Sequence, residues 1–109
     1  MATTYKILGQ ANPASYSNVI VYQVPEGKQA VISTVNICNQ STSASTFRIS
    51  AVPNTEVNSA VHYLAYDTPI PANDSIALTI GITMQENDHL DVHAITANVS
   101  FSVFGSEIN

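Results

Sequence analysis

Four stretches of the chain alternate apolar and polar residues with a period of two, and none repeats its apolar residues at helical spacing. Phe47, Ile49 and Ala51 fall on one side of a strand, Arg48 and Ser50 on the other. Ile76, Leu78 and Ile80 alternate with Ala77 and Thr79; Leu90, Val92 and Ala94 with His89, Asp91 and His93; Val99, Phe101 and Val103 with Ser100 and Ser102. Successive side chains of a strand point to opposite faces, so the pattern specifies antiparallel strands with one buried face. Phe47, Ile49, Ile76, Leu78, Ile80, Leu90, Val92, Val99, Phe101 and Val103 form the predicted core.

Further strands read from residues 19–24 and 30–38, which are rich in β-branched residues and joined by Pro25-Glu26-Gly27-Lys28. Proline presets φ and glycine accepts positive φ there, which predicts a hairpin. Residues 61–66 read as a strand with Tyr63 and Tyr66 on opposite faces, and residues 5–8 as a short opening strand. Stretches rich in turn formers separate these runs: residues 39–45, 53–60, 67–74 and 82–88. Seven or eight short strands with one apolar face each predict an all-β fold, a sandwich of two antiparallel sheets with jelly-roll or immunoglobulin-like topology. No stretch is long enough to link two domains, so residues 1–109 read as one domain, a length that can bury about 65% of its unfolded surface.

Charge narrows the partners. Eight acids stand against Lys6, Lys28 and Arg48, for a formal net charge of −5. No basic stripe is available to neutralise phosphates, so nucleic acid and anionic membranes are excluded as partners. Charged residues make up only 10% of the chain, against ~25% in ordinary soluble domains. Serine, threonine, asparagine and glutamine do the solubilising, and such a surface is cheaper to press against a neighbour than one of ions. The opening residues 2–10 lack the apolar run of a secretory signal, and no later stretch reaches the ~20 apolar residues of a membrane span. The expectation is synthesis in a cytosol.

Chemistry finds little foothold. Cys38 is the single cysteine, which excludes an internal disulfide and thiolate zinc sites needing two sulfurs. It closes an apolar strand and reads as a small buried hydrophobe. His89, Asp91 and His93 recur at i, i+2 and i+4, so a strand projects all three from one face as a possible Zn²⁺ or Ni²⁺ set, to which His62 on a neighbouring strand could add. The plainer reading is the solvent face of an amphipathic strand, since alternate residues lie about 7 Å apart. Asp67, Asp74 and Asp88 lie in turn stretches but lack the spacing of an EF-hand, and turn aspartates commonly bond their own backbone. Asn39, Asn73 and Asn98 open N-x-S/T triplets with no secretory context. No nucleophile elbow or phosphate loop occurs. The reading is non-catalytic, with no cofactor or metal; the enzyme rival is a metal-dependent hydrolase on His89, Asp91 and His93.

Residues 4–10 (TYKILGQ), the central YDTPI of residues 66–70 with Asn73-Asp74, and the closing VSFSVFGSEI of residues 99–108 resemble a group of roughly hundred-residue virion proteins of tailed phages, notably marine and cyanobacterial ones. The resemblance spans nearly the whole chain and rests on structural motifs. It implies a small virion component, such as a capsid decoration or cement protein or a tail accessory protein, with phage capsid or tail proteins and further copies of itself as partners. It supplies no active-site residues. A homo-oligomer is expected, a trimer by analogy with decoration proteins on local threefold axes. Residues 1–17 are the expected docking arm, with Asn12-Pro13-Ala14-Ser15 freeing the first strand; the alternative is that this strand pairs within its own domain. A carbohydrate-binding host-attachment module, using Tyr63, Tyr66 and Asp67, is the competing function.

Overall fold

A computed structural model describes residues 2–109, and Met1 lies outside the described residues. Nine strands follow one another: β1 (Thr3–Ala11), β2 (Ser17–Gln23), β3 (Gln29–Asn39), β4 (Ser45–Val52), β5 (Tyr63–Ile70), β6 (Ser75–Leu78), β7 (Ile82–Met84), β8 (His89–Ala94) and β9 (Val99–Ile108). The one helical element among the described residues is a single 3-10 turn, Ala60–His62, ahead of β5.

The strands form a five-stranded sheet in the order β1-β9-β3-β6, with β7 also paired to β3, and a four-stranded sheet in the order β2-β8-β4-β5. Every pairing is antiparallel. β6 meets residues 35–38 of β3 and β7 meets residues 30–32, so the two are halves of one broken edge strand. Counted that way the fold has the eight positions of a double-sheet jelly roll. The chain is a long hairpin rolled up on itself: β4 pairs β5 at its tip, β3 pairs β6 and β7, β2 pairs β8, and β1 pairs β9. This order decides between the two predicted topologies in favour of the jelly roll.

The same topology corrects the expected hairpin between residues 19–24 and 30–38. The turn forms, with Lys28 N–H donating to the Pro25 carbonyl at 3.2 Å and Gly27 at φ 80°. It carries the chain from one sheet to the other, because β2 pairs β8 and β3 pairs β9. Turn chemistry sets the reversal; the choice of partner strand lies with contacts distant in sequence.

Phe47, Ile49, Leu90, Val92, Val99, Phe101 and Val103 are buried as predicted, in one contiguous core. Across it Phe47 of one sheet meets Phe101 of the other edge to face, ring centroids 6.2 Å apart. Ile76 and Leu78 are half-buried against the core and Ile80 is half-buried in the gap between β6 and β7. All three belong to the broken edge strand, which the sandwich covers less fully than its centre. Ile70 and Met84 are buried although both lie in stretches read as breakers. Pro69 does not end β5 because β5 is an edge strand with a side that makes no ladder bonds.

Two glycines let backbones close up. A Cβ on Gly9 of β1 would lie 2.1 Å from the Val21 carbonyl oxygen of β2, where the two sheets approach, and one on Gly105 would lie 2.1 Å from the Val31 carbonyl oxygen. Both sit beside register shifts, at Leu8 in β1 and Ser33 in β3. Bulges of this kind sharpen twist and bend the strand.

Candidate interaction surfaces

The outer face of the four-stranded sheet carries the residues singled out for chemistry. His89, Asp91 and His93 do share this face of β8, but their partners divide them. Asp91, buried on a face that is otherwise half-open, accepts from Asn18 Nδ2 at 2.9 Å and pairs with His89 Nδ1 at 2.5 Å. His93 instead lies beside Arg48 in register and meets the Tyr16 ring edge-on at 6.4 Å. Burial, and then the Arg48 charge, push the His93 imidazole below its ordinary pKa. His62 is in the 3-10 turn, not on a strand. Its Nδ1 accepts from the Ser59 N–H at 3.0 Å and its Nε2 faces the Glu56 carboxylate at 3.0 Å. Among the described residues no three His, Cys, Asp or Glu side chains are placed to hold one ion. Protein purified without an affinity tag is therefore expected to lose all stoichiometric transition metal on dialysis. Metal that survives dialysis of the native protein but not of His93→Ala would overturn this.

Tyr63, Tyr66 and Asp67 do come together, for a reason hidden from the alternation. Ser50 of β4 pairs Tyr63 while Ile49 pairs Ala65, so Leu64 is an extra residue that shifts the pleat. Tyr63 and Tyr66, expected on opposite faces, stand edge to face with centroids 4.9 Å apart. Arg48 lies 4.2 Å above the Tyr66 ring, and its Nε and Nη2 donate to the two Asp67 carboxylate oxygens at 2.6 and 3.3 Å. The Arg48 hydrogen bonds hold the Asp67 carboxyl below its usual range. Both carboxylate oxygens and one ring face are thus already occupied.

The other flagged residues have local duties. Asp88 accepts from the Asn54 and Gln85 N–H groups at 2.8 and 2.9 Å, and Asp74 from the Ser75 N–H at 2.8 Å. Asn39 is buried: its amide nitrogen donates to the carbonyls of Ser43, Ile70 and Pro71, and its oxygen accepts from Ser41 N–H. It is a clasp between two loops, unsuited to modification. Cys38, expected in the interior, is half-buried on the outer side of β3 because the strand turns Ile37 inward.

At the end of the sandwich Glu107 of β9 is 4% exposed. It accepts from Tyr22 Oη at 2.7 Å across the sheets and pairs with Lys6 and Lys28 at 2.9 and 3.5 Å. Burial alone would raise its pKa; the Tyr22 hydrogen bond and the two lysines outweigh that and hold it below the ordinary value. Burial and Glu107 push the Tyr22 hydroxyl up. No motif announced this group, whose members are brought together from β1, β2, the following turn and β9.

The five-stranded sheet presents the opposite kind of surface. Its strands hold two charged residues, Lys6 and Glu107, and these are bonded to each other on the inner side. Register sets Tyr5, Ile7 and Gln10 of β1 outward beside Phe104 and Ser102 of β9, with Val31, Thr34, Asn36 and Cys38 of β3 next to them. Among the described residues the strands set no Asp, Glu, Arg or His on this face, and the lysine at its groove, Lys6, is paired with Glu107. Thr3–Ala11, within the residues 1–17 expected as a docking arm, is paired with β9 of its own domain. Its apolar side chains still point away from the body, Tyr5 82% and Ile7 54% exposed.

No protein-family model matches the chain, and no curated protein does. Among solved structures, a chain in the structure of infectious bursal disease virus, Gx strain, superposes with a TM-score of 0.56 at 11% identity, covering 97% of this chain and 32% of that one. This chain thus spans about a third of the viral chain's length. At that identity the likeness is one of fold, and it places the protein among two-sheet antiparallel β-sandwiches with a counterpart in a virus structure.

Proposed function

We propose that the protein is a non-catalytic structural component of a virus particle, a single sandwich domain that coats or cements a phage capsid. The observation that carries this reading is the uncharged outer face of the five-stranded sheet. A rigid face of hydroxyls, amides and a few apolar side chains can be buried against neighbours without stripping water from ions. The fold likeness to a chain of a virus and the resemblance to small tailed-phage virion proteins support the same reading.

Mass spectrometry of purified particles tests it. The protein is expected in many copies per particle; absence from particles rejects the structural role, and a copy number in the range of tail parts moves it from head decoration to a tail accessory. The carbohydrate-binding alternative draws on the Tyr63, Tyr66 and Asp67 cluster. Arg48 already stacks on Tyr66 and bonds both oxygens of Asp67, so a sugar would have to displace an internal contact, which favours the structural role.

A further inference from the structure

We propose that two copies of the chain pack against each other through the uncharged outer face of the five-stranded sheet, sheet to sheet about a twofold axis. It draws on the same face as the virion reading, and its test, self-association in solution, is separate from the test of particle incorporation.

Three observations point to a second copy as the occupant. The first is charge. Each copy carries a formal net charge of −5, so two copies repel unless they meet where no ions face one another. The opposite sheet sets Arg48, Asp67, His89, Asp91 and His93 on or near its surface. The five-stranded sheet sets none, and Lys6, on the wall of its groove, turns its ammonium to Glu107. A basic partner would instead be steered to the end of the molecule where Glu26, Glu86 and Asp88 lie in adjoining turns.

The second observation is the form of the patch. Tyr5, Ile7, Val31 and Phe104 line a groove of about 530 Å³ on this face, and Ile7 and Phe104 are direct cross-strand neighbours. A twofold axis near that pair lays apolar stripe on apolar stripe, using one patch on both copies as an isologous contact requires. A threefold ring needs two different complementary patches on each copy. With a single charge-free sheet face available, the pair is favoured over the trimer expected from analogy.

The third is area. Four strand positions spaced ~4.8 Å apart, rising ~3.3 Å per residue over about ten residues, present roughly 600 Å² before side-chain relief. A standard stable interface buries about 800 Å² per partner. One sheet face therefore comes close to sufficing without help from the ends.

The test is sedimentation over a dilution series, with circular dichroism confirming that each variant keeps its β fold. The native protein is expected to be a reversible dimer. Ile7→Glu and Ile7→Lys, at an exposed position on the face, are each expected to weaken it by about tenfold or more, which is the effect of an interface anchor of at least ~1.4 kcal/mol. An equimolar mixture of the two is expected to regain much of the loss, because the opposed charges then meet. Ile20→Glu, the matching change on the other sheet, is expected to leave association unchanged. A native protein that stays monomeric overturns the proposal. So does a dimer that responds equally to Ile20→Glu and Ile7→Glu, or a mixture that regains nothing. A protein found in particles yet monomeric in solution would leave the virion reading intact while this one falls.

Discussion

Truncating Phe101 to alanine is expected to lower the unfolding free energy by about 3 to 5 kcal/mol, the range for emptying a buried aromatic site. Phe101 is 1% exposed and its ring meets Phe47 across the two sheets. The loss is therefore shared by both layers: the mutation leaves a void and also removes the edge-to-face contact that joins β9 to β4. For a domain whose whole stability is of order 5 to 15 kcal/mol, that is at least about a fifth of the total. Urea unfolding followed by circular dichroism measures it. A loss below about 1 kcal/mol would mean that the core collapses around the gap and that the ring pair does not set the spacing of the sheets.

The second large effect is expected at Glu107 and depends on pH. The folded protein holds this carboxyl below its ordinary pKa, so its ionised form is favoured by folding. Such a group contributes stability that is fully present above the unfolded pKa, near 4.3 for glutamate, and is lost as pH falls through the lower folded value. Native protein is expected to weaken steadily from about pH 5 downward. Glu107→Gln is expected to be less stable than native by about 1.5 to 3 kcal/mol at neutral pH, the range for hydrogen bonds to a charged group. The gap should shrink toward zero at strongly acid pH, where the native carboxylate is itself neutral. Asp67 is also held low by its partner, but its side chain is 46% exposed, so its share of the acid limb is small. Unfolding midpoints of both proteins at neutral and acid pH decide the matter. Parallel curves with a constant gap would show that Glu107 acts by packing rather than by charge.

The strands that alternate cleanly in sequence, around Phe47, Leu90 and Val99, are the ones whose inner faces fill the core. They are legible because β8 and β9 lie between two neighbours and β4 likewise, so each must bury one whole face. Legibility fails where local chemistry is neutral about distant pairing. The turn after Pro25 is a good reversal, yet nothing in its residues says that β2 will seek β8. The extra residue at Leu64 cannot be seen without the β4 register, and it is what sets Tyr63 beside Tyr66. Glu107 looked like one more acid near the end of a strand. Its meaning comes from Tyr22, 85 residues away, and from two lysines that had seemed merely scarce. The low charge was plain from composition; its absence from one entire face required the pairing of β1, β9 and β3.

The position of β9 has a consequence for how the protein is made. Of the nine strands it is the last to be synthesised, yet it lies in the interior of its sheet between β1 and β3. A nascent chain in which residues 99–108 have not yet emerged has no partner for β1 and only the broken edge formed by β6 and β7 for β3. Until then it offers unpaired backbone along both strands, the kind of edge on which other chains add. The five-stranded sheet cannot close until β9 is available, and it closes through pairings between residues far apart in the chain, which places it among the slow, millisecond-to-second folders. Crowded synthesis of many copies at once would make that interval the period of greatest risk of aggregation.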